Sequence, residues 1–252
     1  MKRMYMVTLM ALVAGMSFPV PAMAVLDVTV DFFTLPTDIV GDNWTTSGSV
    51  DPNPNVNTTT GVWTNNRACC ESSIYAYSDI LTDHPISGGA THIHGEAEIS
   101  HTTISGDVRG NDVTVTNFSK SGDWQVRVHA KPNLIRVVQL GDQNNFVDVP
   151  IDNTTGSPTL HTYGWDLNLS TKKVTLFFDG GLVGDAGGYD VNHPGAGDAL
   201  SIGDISGGGT SGVHNEDWHN WRVGEGRIPE PATMTLMVLG SGLLLLRRRR
   251  RA

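Results

Sequence analysis

Cysteine is nearly absent: the chain of 252 residues contains two, Cys69 and Cys70, which excludes a small fold held by several disulfides. A ring closed between adjacent cysteines is strained, so a vicinal disulfide, buried thiols and a link between chains all stay open. Charge is also scarce, at 17% against roughly 25% in an ordinary globular chain. With 39% hydrophobic residues and 29 glycines besides, the composition is globular and excludes a disordered chain, a collagen or a coiled coil. Basic residues are scarcest in the middle, where residues 25–226 hold 9 Lys and Arg against 25 Asp and Glu. Such a surface repels nucleic acid, which is excluded as a default partner, along with anionic lipid. Long apolar runs are missing everywhere except at the two ends.

At the first end, Lys2 and Arg3 precede the apolar stretch Tyr5 to Phe18, and Ala22-Met23-Ala24 supplies the small residues that a signal peptidase reads. Residues 1–24 are therefore expected to be a signal peptide cut after Ala24, with Ala22 and Ala24 as the cleavage determinants, and the mature protein is exported. At the other end, Ala232 to Leu246 is an apolar stretch of 15 residues followed by five arginines. It is short against the ~20 residues of a spanning helix, and the arginines should stay on the cytoplasmic side. A C-terminal membrane anchor is the plain reading.

The tail has three parts in order: Ile228-Pro229-Glu230-Pro231, the apolar stretch, and Arg247 to Arg251. This order resembles the PEP-CTERM sorting signal of exopolysaccharide-producing Gram-negative bacteria. The resemblance implies that Pro229, Glu230 and Pro231 are the sorting motif within residues 227–252. It also implies an exosortase-type processing enzyme as partner, transient inner-membrane anchoring, and delivery to the cell envelope or extracellular matrix. Pro229 and Pro231 would also keep the linker extended and accessible to such an enzyme.

Between the ends the apolar residues recur every second position. Leu26, Val28, Val30 and Phe32 alternate with Asp27, Thr29 and Asp31, and Trp124, Val126, Val128 and Ala130 alternate with Gln125, Arg127 and His129. Both read as strands with one buried face. Similar runs at Val113 to Phe118, Val147 to Ile151, Trp165 to Leu169, Val174 to Phe178 and Leu200 to Ile202 are divided by Gly-, Asn- and Asp-rich turns. Only Ser73 to Leu81, with Ile74, Tyr77 and Leu81 spaced to share a face, reads as a short helix. Asp51-Pro52-Asn53-Pro54-Asn55 reads as a loop. The expectation is one all-β domain over residues 25–226, a two-sheet antiparallel sandwich.

Four runs narrow the sandwich: Tyr163-Gly164-Trp165-Asp166, then Lys173 to Val183 with Asp179-Gly180 at its turn, then Leu200-Ser201-Ile202-Gly203-Asp204, then Trp218-His219-Asn220-Trp221-Arg222-Val223. Their order resembles the concanavalin A-like lectin/glucanase superfamily, and within it the laminin-G-like branch, over roughly residues 124–224. The resemblance implies a jelly roll of two curved sheets, ligands on the concave face or rim loops, and frequently a structural Ca2+.

The densest chemistry is His92-Ile93-His94-Gly95-Glu96-Ala97-Glu98. On a strand, His92, His94, Glu96 and Glu98 share one face and Ile93, Ala97 and Ile99 the other. Two imidazoles and two carboxylates in a row suit sugar hydrogen bonding, a transition metal or acid–base work; the plain alternative is the wet face of an amphipathic strand. Laminarinase-type relatives carry Glu-x-Asp-x-x-Glu, which here falls on Glu96, Glu98 and His101, and only the first position matches. A retaining glycosidase needs two carboxyls about 5 to 5.5 Å apart, so the departures speak against hydrolysis.

Asp142, Asp148, Asp185, Asp190, Asp204 and Asp217 stand at turn-rich places that could supply hard oxygen ligands to Ca2+, or could simply form turns. Trp218 and Trp221, three apart, are expected on opposite faces, so at most one can face a given ligand; Trp221 is assigned to the core, and Trp218 stays open between packing and stacking on a sugar. His214 and His219 flank Glu216-Asp217 at an expected loop edge. The sequence thus points to an exported, envelope- or matrix-associated lectin-like module binding exopolysaccharide without catalysis, through His92, His94, Glu96, Glu98 and Trp218. A ligand-free structural matrix protein and a glycoside-processing enzyme are the other classes.

Overall fold

A computed structural model describes residues 26–67, 72–105, 113–131, 133–139, 145–151, 160–195, 197–204 and 213–228. The cleavage residues Ala22 and Ala24, the motif Pro229, Glu230 and Pro231, the apolar stretch 232–246, Cys69, Cys70 and Asp142 lie outside the described residues. Among the described residues no helix is long and apolar enough to cross a membrane.

The described strands are β1 (Asp27–Val30), β2 (Trp44–Gly48), β3 (Val56–Asn57), β4 (Val62–Arg67), β5 (Ser73–Ser78), β6 (His92–Ser105), β7 (Val113–Lys120) and β8 (Trp124–Lys131). They continue with β9 (Leu134–Val138), β10 (Phe146–Pro150), β11 (Leu160–Asn168), β12 (Lys173–Phe178), β13 (Gly181–Val183), β14 (Tyr189–Asp190), β15 (Ala199–Asp204) and β16 (Val213–Glu225). One sheet has nine strands in the order β13-β12-β11-β6-β16-β4-β3, with β1 beside β16 and β14 beside β12. The other has seven, in the order β10-β9-β8-β7-β15-β5-β2. The molecule is all-β, and its two antiparallel sheets form a sandwich, as the alternation predicts, of the jelly-roll kind that the resemblance implies.

The alternation has a direct cause. Along β6, Ile93, Ala97 and Ile99 are buried, while His94, Glu96 and Glu98 face outward, because successive side chains leave a strand on opposite faces. The core they enter is aromatic: Trp63, Trp124, Trp165, Trp218, Trp221, Tyr75, Tyr77 and Tyr163 are all fully buried. Trp165 crosses β6 at Gly95, where a Cβ would lie 2.5 Å from its ring. Glycine is therefore required there for the indole to reach the middle of the core.

Two local expectations are corrected. Ser73 to Leu81 is not a helix: Ser73–Ser78 is β5, with Ser73, Tyr75 and Tyr77 buried, and only Ile80–Asp83 forms a helical turn. Partly buried Ile74 and Ala76 hide the period of two behind an apparent helical spacing. Glu216 is not at a loop edge either. It lies within β16, is 1% exposed, and accepts a hydrogen bond from Asn65 Nδ2 at 2.5 Å.

Candidate functional site

Strand β6 runs through the nine-stranded sheet between β11 and β16, and register brings its outward row against specific neighbours. His92 lies opposite Asn168, His94 opposite Asp166, Glu96 opposite Gly164 and Glu98 opposite Thr162 on β11. On the other side, His94 meets Gly224, Glu96 meets Arg222, and Glu98 meets Asn220. The four residues expected to share a face do so, but they belong to two different environments.

At the Glu96 end, Arg222 donates from Nε at 2.8 Å and from Nη2 to Glu96 Oε2. Glu96, Glu98, Asn220 and Arg222 enclose a hollow of about 230 Å³. At the His92 end, a groove of about 920 Å³ opens over β11 and β12. Its polar lining includes Asn168, Thr171, Lys173 and Thr175, and Phe177 and Leu182 supply apolar surface.

The chain leaving β16 forms one wall of this groove. Gly226 N–H donates to His92 O at 3.0 Å, and His94 Nδ1 lies 3.3 Å from Gly226 O, so His94 carries its proton on Nδ1. Arg227 Nε donates to His92 Nε2 at 3.1 Å. A guanidinium can only donate, so His92 Nε2 accepts here, and its Nδ1 lies 3.1 Å from Thr91 Oγ1. Ile228 is buried at 6%, its Cδ1 3.0 Å from where a Gly164 Cβ would stand. The packing of the sandwich thus extends two residues beyond the boundary expected at 226.

Asp166 lies beneath that wall, 8% exposed in its side chain, with Oδ1 3.8 Å from His92 Nε2. Desolvation pushes its carboxyl above the ordinary aspartate value. Electrostatic interaction with His92 and Arg227, the backbone N–H of Ile228 and His94 pull the other way, in that order, without reversing the shift. Asp166, Lys173, Thr175, Phe177 and Arg227 were not singled out from the sequence. Alternation marks Asp166 as outward-facing on its strand, but nothing in the sequence states which strands lie beside it.

Trp218 is corrected. It is 0% exposed, and its ring lies 5.4 Å from that of Trp63, so it presents no face to a ligand. The register of β16 against β6 shifts between Trp218 and Asn220, and this bulge inserts His219 as an extra residue. Trp218 and Trp221 therefore both enter the core despite their spacing of three.

Four of the aspartates considered for Ca2+ are engaged individually. Asp148 pairs with Arg136 Nε at 2.7 Å, Asp185 and Asp190 accept from Gly187 and Asn192 backbone N–H groups, and Asp217 accepts from Thr64 Oγ1. Among the described residues no group of three or more His, Cys, Asp or Glu converges to hold a metal ion.

No family model and no curated protein matches the sequence. Solved structures do share the fold. Crh5 transglycosylase in complex with NAG is similar at a TM-score of 0.50 and 16% identity, over 82% of this chain and 87% of that chain. AlgAT5, an alginate lyase of polysaccharide lyase family 7, gives 0.46 and 13%, over 77% and 100%. Botulinum neurotoxin type C, which depends on interaction with two ganglioside molecules to reach the cell interior, gives 0.47 and 11% over 79% of this chain. Only 46% of that toxin chain is covered, so this chain spans less than half its length. At these identities the likeness shows the sandwich fold alone.

Proposed function

We propose that the chain is an exported, concanavalin A-like β-sandwich of the laminin-G-like kind that binds a saccharide of the producer's exopolysaccharide without cleaving it. The observation that carries this is the 920 Å³ groove, where hydrogen-bonding Asn168, Thr171, Lys173 and Thr175 stand beside Phe177 and Leu182. A sugar presents both surfaces at once, hydroxyls at its rim and C–H groups on its ring faces, and such mixed linings suit it. Crh5, which shares the fold, was solved with the sugar NAG.

Binding without turnover is favoured by the state of Glu96. The motif comparison gives it the nucleophile position, yet here it is held by Arg222. In this reading the tail is an address recognised by an exosortase-type enzyme through Pro229, Glu230 and Pro231, and the signal peptide drives export. A glycan array probed with the purified chain tests the binding function. Saturable binding to at least one glycan, with no shortened product, is the expected result. Absence of binding would reject it in favour of a structural matrix role, and product formation in favour of an enzyme.

A further inference from the structure

The groove carries a charge opposite to that of the molecule around it. Most cations described on the surface are matched by a carboxylate: Arg136 by Asp148, Lys172 and Lys120 by Asp123, and Arg222 by Glu96. Among the described residues Lys173 and Arg227 are in no such ion pair, although Arg227 lies within electrostatic reach of Asp166, and both line the groove. Arg227 donates from Nε to His92 Nε2, which fixes the guanidinium and leaves its Nη nitrogens as a fork. The carboxyl in the lining, Asp166, is buried against His92 and shifted toward its neutral form by desolvation.

Register sets the spacing of the two cations. Lys173 lies opposite Asn168 on one side and His92 lies opposite Asn168 on the other. Two strand separations put Lys173 and His92 about 10 Å apart at the backbone, with Arg227 seated on His92. A carboxylate standing over Asn168 is flanked by an ammonium on one side and a guanidinium on the other, and the guanidinium can engage it through two parallel N–H bonds.

Taking the groove as the saccharide site proposed above, we infer that it selects an acidic sugar, a uronic acid unit whose carboxylate is held between Lys173 and Arg227 over Asn168. A chain with 9 Lys and Arg against 25 Asp and Glu over residues 25–226 repels polyanions in general. Two cations concentrated in one groove reverse that repulsion locally.

Matched probes test this on the purified full chain: polyglucuronate, polygalacturonate and polymannuronate oligosaccharides, each with its carboxyl-reduced counterpart, and a sulfated neutral oligosaccharide. At least one uronate should bind about tenfold or more tightly than its reduced form. The preference should shrink in high salt and fall away in Lys173→Met and Arg227→Met, whose folding is checked by circular dichroism. Arg227→Lys should restore only part of it, because an ammonium lacks the fork. Equal binding of the reduced forms would overturn the acidic preference while leaving the saccharide function standing. Binding of the sulfated probe with none of the uronates would overturn the carboxylate assignment. No binding to any member of a broad glycan array would overturn the saccharide function itself.

Discussion

Asp166 shows how one side chain links the groove to stability. Its carboxyl is shielded from water, and desolvation outweighs the opposing pull of His92 and Arg227, so the folded chain holds the proton more tightly than the unfolded chain does. Stability contributed by this group is then fully present below the ordinary aspartate value of 3.8 and is lost as pH rises through the raised folded value. Asp166→Asn keeps an acceptor for the Ile228 N–H and removes the titration. Urea denaturation of both proteins between about pH 7 and about pH 4 should show the wild type gaining on the variant as pH falls; a constant difference would refute the shift. Trp218 makes a second residue-scale test. Buried against Trp63, it should cost about 3–5 kcal/mol on replacement by alanine, read as a lowered denaturation midpoint. A loss below about 0.5 kcal/mol would mark a surface side chain.

At the scale of elements, the segment after β16 should behave as part of the sheet it crosses. Ile228 covers Gly164, and its removal from water is worth about 1.5–3 kcal/mol. Ile228→Ala should therefore lower Tm by several degrees, at roughly 2–4 °C per kcal/mol in a chain of this size, and an unchanged Tm would detach the segment from the sandwich. This packing was hidden in the sequence, because Ile228 stands directly before the tail motif and reads naturally as part of the tail. Strands such as β1 and β8 were legible, since each has one wet and one dry face and the period of two follows directly. β5 was not, because Ile74 and Ala76 blur its outward face. Nor was the bulge in β16: an inserted residue changes no residue type, yet it turns Trp218 from a candidate sugar platform into core. The row His92, His94, Glu96 and Glu98 was legible as a face of one strand. The groove was not, because Asp166, Lys173 and Arg227 meet there only through the pairing of β6, β11 and β12 and the path of the chain beyond β16.

For the whole molecule, the proposed saccharide groove and the proposed address are consecutive in the chain: Arg227 and Ile228 line the groove, and Pro229 begins the motif. The two functions still rest on different residues and should separate. Replacing Pro229, Glu230 and Pro231 with alanines leaves Lys173, Arg227, His92 and Ile228 in place, so the purified variant should bind the same saccharide with unchanged affinity. Export should also persist, because the proposed signal peptide at the N-terminal apolar stretch and Ala22-Met23-Ala24 is left intact. What should fail is delivery, with the variant retained at the inner membrane by residues 232–246 and Arg247 to Arg251. Fractionation of cells expressing each form, followed by blotting of membrane and matrix fractions, reads the outcome directly. If the variant reaches the matrix as the wild type does, the motif carries no address. If it is delivered normally but loses saccharide binding, these three residues belong to the groove and not to a sorting signal.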